Sequence, residues 1–307
     1  MKFSVITPLF NGMPEVKKCI GSVKSQASNS ISIEHFIQDG GSNDNSLQFL
    51  ETYTNDQLNT TNDDGKYYNF NFQSSKDKGM YDAINKGWSR STGDIYSWLN
   101  HDEQYLPGTL TIVDRFFQNN PDVDVVYGNM IVVDKDGNPL SARREIPIRE
   151  NYVKHNFLYA ISCTIFFRSS LFHEGILKFN DNLICAGDLE LMLKLINYGK
   201  KIVHIDKYFS LFGVDGSNLS VKKSDILNSE IKKIQSSYGA SKNKIVRFFF
   251  KSLRCIERIL KGCYKTDSII FKYVLNENSD FVIRSCTDIS SRFTYDHVNK
   301  IMNKNKL

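Results

Sequence analysis

The chain has 307 residues, of which 39 are basic and 34 are acidic, so its formal net charge is +5. Hydrophobic residues make up 41% and charged residues 24%, a balance that excludes an intrinsically disordered chain and a membrane transporter. The 18 glycines and 6 prolines exclude collagen-like and proline-rich low-complexity sequence. The length therefore predicts one large folded domain, or one domain with a smaller appendage.

The apolar and turn residues predict strands alternating with helices. Strands are predicted at residues 3–9, 31–37, 70–73 and 95–99, and helices at 15–23, 46–53 and 79–89. A helix at 110–117, a strand at 123–127, a hairpin turn at 135–138, a strand at 162–167 and a helix at 187–198 are predicted to follow. Strand, loop and helix repeated at this pitch predict an α/β domain with a mainly parallel central sheet flanked by helices.

Beyond about residue 220 the pattern becomes helical and basic. We therefore predict two units, a domain at residues 1–219 and a helical basic C-terminal extension at 220–307. Between residues 242 and 265, basic and apolar side chains alternate at nearly helical spacing, with Glu257 as the lone acid. Such a helix either packs its apolar face on the first domain or a second subunit, or lies at a membrane interface. Homo-oligomerisation and peripheral membrane contact through residues 242–265 are thus both open.

The six cysteines are scattered, without a CxxC pair or a histidine at zinc-finger spacing. Disulfide frameworks are dense and occur in short secreted chains, so this pattern predicts free thiols in a reducing compartment. The N-terminal apolar run is too short for a signal peptide, and no stretch approaches the roughly 18 apolar residues that span a bilayer. We therefore expect a cytoplasmic protein, with the inner face of the cell membrane as a further possible location.

Polar loops follow the first, second and fourth predicted strands, and ligands bind beyond the carboxyl ends of strands in such sheets. Asp102, at the end of the fourth strand, is suited to hold a hard divalent cation with diphosphate oxygens, and is equally suited to cap a helix. Asp39 could accept a hydrogen bond from a nucleobase, or simply form a turn with Gly40 and Gly41.

Lys78 lies directly before a predicted helix, and Asp82 lies one turn inside it. This layout suits contacts with an anion and a ribose, with an ordinary charge pair at the helix start as the alternative. A sugar-nucleotide pyrophosphorylase and a Rossmann dehydrogenase are disfavoured, because the segment TPLFNGMPE after the first strand lacks the glycine-rich loop that both require.

Six segments in this order resemble the family 2 inverting glycosyltransferases of GT-A fold: SVITPLFNG, QDGGSNDNS, DKGMYDAINKG, STGDIYSWLNHDE, DVDVVYGN and AGDLELMLKL. Their order and spacing are far more specific than any one segment, and the resemblance covers about residues 1 to 215. It implies a bacterial hexosyl- or N-acetylhexosaminyl-transferase of surface-polysaccharide biosynthesis. The implied partners are a UDP-sugar donor and a glycan or lipid-linked acceptor, with Mn²⁺ or Mg²⁺ as cofactor and no nucleic acid.

The resemblance also implies the roles of single residues. Asp102 would hold the metal against the diphosphate, and Asp188 would act as general base. Asp39 would form a hydrogen bond with the nucleobase, which is expected to be uracil. The positions that would line the nucleotide and sugar are Thr7, Pro8, Asn11, Asp39, Lys78, Asp82, Asn85, Asn100 and His101.

Two departures from the family pattern bear on these roles. His101 and Glu103 stand where many relatives have a small residue and a second aspartate, and no histidine occurs at residues 162–167. The alternative function is a catalytically inactive nucleotide-sugar-binding module that acts through its basic tail. The presence of Asp39, Asp102 and Asp188 argues against that alternative.

Overall fold

The computed structural model describes residues 1–59, 67–214, 222–265 and 267–292. The strands in these ranges are β1 (Lys2–Leu9), β2 (Ser32–Asp39), β3 (Tyr68–Ser74), β4 (Ile95–Trp98), β5 (Gln104–Tyr105), β6 (Val125–Val133), β7 (Pro139–Arg143), β8 (Ile165–Arg168), β9 (Ile202–Gly213), β10 (Asp267–Val274) and β11 (Phe281–Ile289). The α-helices are α1 (Glu15–Lys24), α2 (Ser46–Asn59), α3 (Met80–Trp88), α4 (Thr109–Asn119), α5 (Glu150–His155), α6 (Ser170–His173), α7 (Gly187–Asn197), α8 (Ser224–Ser237) and α9 (Lys244–Leu260).

Nine of the described strands form one sheet in the order β3-β2-β1-β4-β8-β6-β9-β5, with β7 paired to β6. Strands β3, β2, β1 and β4 are mutually parallel, so the loops that follow them emerge along one edge. The second half of the sheet is mixed, because β8 runs antiparallel to both β4 and β6. The predicted α/β fold is confirmed, and the polar loops predicted from the sequence lie at this common edge.

Hydrophobic cores cover both faces of the sheet, because successive side chains of a strand point to opposite faces. Along β1, Phe3 and Val5 belong to the core under α1, α2 and α4. Ile6 belongs to the core on the other face, with residues of α3, α6 and α7. The helices that carry the candidate site residues are thereby fixed against the parallel half of the sheet.

The prediction that residues 220–307 are helical is wrong for residues 267–292. α8 and α9 are helices, but they are followed by the antiparallel hairpin β10–β11. Alternate residues of this segment are buried, Ile269, Phe271 and Tyr273 among them, and a period of two favours a strand. The hairpin buries these side chains against residues of β6, β7 and β9, so it packs onto the second half of the central sheet.

The hairpin also contacts the segment that follows β4. The side chain of Gln104 accepts a hydrogen bond from the backbone N–H of Val274 (2.9 Å) and donates to its carbonyl oxygen (3.1 Å). Ser279 donates to the carbonyl oxygen of Gly21 in α1 (2.8 Å). These contacts join the C-terminal residues to the loop that contains Asp102.

All six cysteines carry free thiols. In the described ranges, no helix combines the length and the apolar character needed to cross a membrane.

Candidate active site

The loops after β1 and β2 are joined by hydrogen bonds from Asn11. Its side-chain oxygen accepts from the backbone N–H groups of Asn43 (2.8 Å) and Asp44 (3.3 Å), and its own N–H donates to Ser42 Oγ (2.8 Å). The carboxylate of Asp44 accepts in return from the N–H of Met13 (3.2 Å). Asn11 has φ of 52°, a left-handed conformation that asparagine tolerates better than most residues.

Asp39 ends β2 and is fully buried. Its carboxylate accepts from the backbone N–H groups of Gly41 (3.2 Å) and Ser42 (3.1 Å) and from the hydroxyl of Ser74 (2.6 Å). Gly41 has φ of 89°, so glycine is needed for this turn. The carboxylate thus fixes the loop at the edge of the sheet where β1–β4 end, which is called the donor edge because the sugar donor is predicted to bind there. The contact of Asp39 with uracil remains a prediction.

The structure places Thr7 inside the core and not in the loop cluster. Strand alternation turns its side chain toward α1, where the hydroxyl is 2.9 Å from Nε2 of His35 and 3.6 Å from Sγ of Cys19. Burial lowers the pKa of His35 to about 3, so this imidazole is neutral. Pro8 is buried as well.

Lys78 and Asp82 lie at the start of α3, beside the carboxyl end of β3. Lys78 Nζ pairs with Asp181 Oδ2 (2.8 Å), and this carboxylate raises the pKa of Lys78. The carboxylate of Asp82 accepts from the N–H of Lys78 (3.1 Å) and pairs with Lys86 (3.0 Å). Both predicted residues are therefore at the donor edge, with their charges balanced within the protein.

Asn85 links α3 to the segment that leads into α7. Its side chain donates to the carbonyl oxygen of Phe179 (2.9 Å) and accepts from the N–H of the same residue (2.9 Å). Asn85 thus links α3 to residue 179, and its predicted contact with the nucleotide and sugar stays a prediction.

Glu103 lies beneath the loop that follows β4. Its carboxylate accepts from the N–H of Asn100 (2.8 Å) and from the hydroxyl of Ser162 (3.3 Å), and the residue is 1% exposed. Burial, with the charge of neighbouring Asp102, raises the pKa of Glu103 to about 8. His101 packs on Gly12, where a Cβ atom would lie 2.6 Å from Cδ2 of the imidazole. The loops after β1 and β4 thus touch at Gly12.

Asp102 is exposed at the same edge, and the next residue, Glu103, is buried. In the part of the chain that the structure describes, no group of three His, Cys, Asp or Glu side chains is placed to hold a metal ion. Mg²⁺ or Mn²⁺ can nevertheless bind through one exposed carboxylate when its other ligands are diphosphate oxygens and water. The residues present therefore fit a cation bound together with a nucleotide.

Asp188 lies in the first turn of α7 with its side chain half-buried. Burial raises the pKa of Asp188 to about 6, although its carboxylate accepts a hydrogen bond from the N–H of Leu189 (2.9 Å). Gly187 packs on the ring of Tyr81 in α3, where a Cβ atom would lie 2.7 Å from the ring. Contacts with Lys78, Asn85 and Tyr81 thus bring the segment before Asp188 to the donor edge.

Glu230, in α8, is a residue that the sequence analysis missed. Its carboxylate accepts hydrogen bonds from three successive N–H groups, those of Ile184 (2.7 Å), Cys185 (2.9 Å) and Ala186 (2.9 Å). Its negative charge also contributes to the raised pKa of Asp188. Nothing in the sequence distinguishes Glu230 from the other acids of a solvated helix, because its partners are 44 to 46 residues away.

Polar and charged side chains predicted from the sequence lie along this edge. Asn11, Asp102 and Lys78 are exposed there, and burial raises the pKa of Asp188 to about 6. A carboxylate with such a pKa can accept a proton from a hydroxyl group near pH 7.

The chain is similar to known glycosyltransferases. The family model for glycosyl transferase family 2 matches residues 4–176, more than half of the chain. An uncharacterized glycosyltransferase of Rickettsia conorii is 26% identical over 243 residues, which are 76% of this chain and 37% of the relative. The chain therefore spans little more than a third of that relative's length.

Two solved structures share the fold. A fragment of Staphylococcus aureus TarS, residues 1–349 in complex with UDP-GlcNAc, has a TM-score of 0.61 at 18% identity, covering 85% of this chain and 73% of the fragment. A mannosyltransferase of Pyrobaculum calidifontis, in complex with GDP-Man and Mn²⁺, has a TM-score of 0.51 at 12% identity, covering 85% and 81%. The architecture is thus the α/β GT-A fold, and on the match to the family model the chain belongs to glycosyl transferase family 2.

Proposed function

We propose that this protein transfers a sugar from a UDP-sugar to a hydroxyl group of a glycan or lipid-linked acceptor in polysaccharide biosynthesis. The observation that carries the proposal is Asp188. Its pKa of about 6 leaves it ionised but still basic near neutral pH, as a general base requires. The loops after β1, β2 and β4 supply the complementary donor edge, with Asp102 exposed on it.

The proposed reaction needs one proton acceptor and one leaving group. Asp188 takes the proton of the acceptor hydroxyl while that oxygen attacks the anomeric carbon. Attack from the face opposite the departing nucleoside diphosphate inverts the anomeric centre. When bound, Mn²⁺ or Mg²⁺ at Asp102 offsets the negative charge of the leaving diphosphate. Glu230 holds the N–H groups of residues 184–186, and so fixes the backbone just before the base.

Uridine and N-acetylglucosamine are the first donor components to test. The TarS fragment was solved with UDP-GlcNAc, and its fold covers 85% of this chain. Manganese is the first metal to test, because the Pyrobaculum enzyme was solved with Mn²⁺. We further propose that the reaction takes place in the cytoplasm, since all six thiols are free and a reducing compartment keeps them so.

A donor screen tests this function. Purified protein is incubated with UDP-, GDP- and dTDP-sugars, with and without Mn²⁺ and with candidate acceptors, and released nucleoside diphosphate is measured. We expect metal-dependent release from one UDP-sugar, lost in Asp102→Ala and in Asp188→Ala. Asp122→Asn is the matched control, because this exposed carboxylate pairs only at the surface with Lys201.

The alternative, a binding module without catalysis, predicts a different pattern. It predicts that a UDP-sugar raises the melting temperature while no acceptor stimulates release of UDP. Absence of both binding and release with every nucleotide would contradict both proposals.

A further inference from the structure

α9 presents its apolar side to solvent. Six large apolar side chains of this helix are more than half exposed, with Phe248 at 70% and Leu260 at 82%. At 100° per residue they fall within an arc of about 120° on one side of the helix. This apolar arc consists of Ile245, Phe248, Phe249, Ile256, Ile259 and Leu260.

The opposite side of α9 is bound to the protein through Phe250, which stacks on His155 (4.7 Å between ring centroids), and through two arginines. Arg258 is 4% exposed, and its Nη1 is 2.7 Å from Oε2 of Glu145, which is equally buried. The guanidinium of Arg254 lies 4.3 Å from the ring centroid of Phe157. Turning the apolar arc inward would break the buried ion pair, which is unfavourable because it leaves charges buried without partners. The apolar arc is therefore held outward and does not pack on the first domain, which is one of the three arrangements that the sequence leaves open.

The charges beside the apolar arc are positive. Lys244 and Lys251 are exposed and lie seven residues apart, so both border the arc on the side of Phe248. Along α9, all of which the structure describes, the lone acid is Glu257, and it faces the protein, where it pairs with Arg149 (3.0 Å). A second copy of the chain docked on this side would oppose the same lysines, whereas anionic lipid would complement them.

We propose that α9 lies in the interface of an anionic lipid bilayer. The apolar arc inserts at the boundary between headgroups and acyl chains, and Lys244 and Lys251 contact the lipid phosphates. This interaction goes beyond sugar transfer and requires neither donor nor acceptor. It would hold the protein at the surface on which a lipid-linked acceptor resides.

Vesicle flotation of the full chain tests the proposal. We expect binding to vesicles of phosphatidylglycerol and phosphatidylcholine, weaker binding to phosphatidylcholine alone, and release at high salt. The combined Lys244→Gln and Lys251→Gln variant should bind roughly 25-fold less tightly, at about five-fold per lysine near an anionic surface. The triple variant Phe248→Ser, Ile256→Ser, Ile259→Ser should no longer float.

The control is Ile270→Ser with Ile283→Ser, which removes exposed apolar side chains (78% and 65% exposed) from the hairpin and not from α9. Its flotation should equal that of the parent protein. All variants change exposed side chains, and their melting temperatures are compared to verify folding. Failure of the parent protein to bind anionic vesicles, or equal binding of the triple variant, would overturn the proposal. A lipid-free dimer that the triple variant abolishes would also overturn it and assign the apolar arc to a second copy.

Discussion

The loops after β1 and β2 are held by their own residues, whereas the segment before α7 is held by residues from distant parts of the chain. In the first region, Asn11 bonds Asn43 and Asp44, and Asp39 bonds the turn that directly follows it. In the second region, the N–H groups of residues 184–186 depend on Glu230, in a helix beyond residue 219.

This difference separates two properties of the site. The loops after β1 and β2 should keep their shape when the C-terminal residues change, because the hydrogen bonds that join them are internal. The proposed general base, Asp188, should in contrast respond to α8 in both position and pKa. Substitutions in one region should therefore change donor binding, and substitutions in the other should change the rate of transfer.

Replacing the base gives the largest expected effect. Asp188→Asn keeps the shape of the side chain but removes the proton acceptor, and general acid–base catalysis contributes roughly 10²–10⁴-fold. We expect kcat to fall about 10³-fold while the Kd for UDP stays the same. Isothermal titration with UDP and a release assay with acceptor measure the two quantities. A kcat within ten-fold of the parent protein would refute the role of Asp188.

The pH dependence should report the same carboxyl group. Asp188 acts only when ionised, and its pKa is about 6, so kcat/KM should be constant above pH 7 and fall below pH 6, approaching ten-fold per unit. Binding of UDP, measured over the same pH range, distinguishes protonation of Asp188 from weaker binding of the donor. If the acid limb of this pH profile lay near pH 4, the ordinary range of an aspartate, it would contradict the assignment of the limb to Asp188.

Glu230→Gln should alter this limb. The negative charge of Glu230 opposes ionisation of Asp188, so its removal lowers the pKa of Asp188 and moves the limb to lower pH. The same variant replaces an anionic acceptor of three N–H bonds by a neutral one, and we expect kcat to fall about ten-fold. The Kd for UDP should not change.

Glu174→Gln is the control for Glu230→Gln, because it makes the same charge change in an exposed pair with Lys200. It should leave both kcat and the acid limb as they are. If the acid limb does not move in Glu230→Gln, α8 supports only the fold.

Sequence reasoning located what is local and missed what is distant. The four parallel strands were predicted to within about two residues at each end, because each is an apolar run followed by a polar turn, as in Ser32–Asp39. The hairpin β10–β11 was mistaken for helix, since its period-two burial is defined by strands far away in the chain. Thr7 is assigned to the nucleotide by resemblance alone, and strand alternation, which a motif does not reveal, turns its side chain toward His35. Its contact with the nucleotide stays a prediction. Glu230 has no local signal at all.

At the donor edge, Asn11→Ala should give a smaller effect. It removes two hydrogen bonds to backbone N–H groups and places alanine at φ of 52°, which together should cost about 2 kcal/mol of unfolding free energy. The Kd for UDP should rise several-fold while the acid limb stays near pH 6. Urea unfolding measures the first quantity, and Asn11→Gly, which tolerates this φ, separates backbone strain from the lost hydrogen bonds.

Lys78→Ala should give the smallest change in stability and still distinguish the two regions. Lys78 is 67% exposed in its pair with Asp181, and exposed ion pairs contribute little, so the melting temperature should not change measurably. Its predicted role is to contact the anionic donor, so KM for the UDP-sugar should rise while kcat is retained. Asp181→Asn removes the same ion pair but leaves the cation available to the donor. KM should therefore stay constant or fall in Asp181→Asn. If both variants instead lowered kcat equally, the pair would serve to hold the segment before Asp188, and Lys78 would belong with Asn85 and Glu230 as a support of the base.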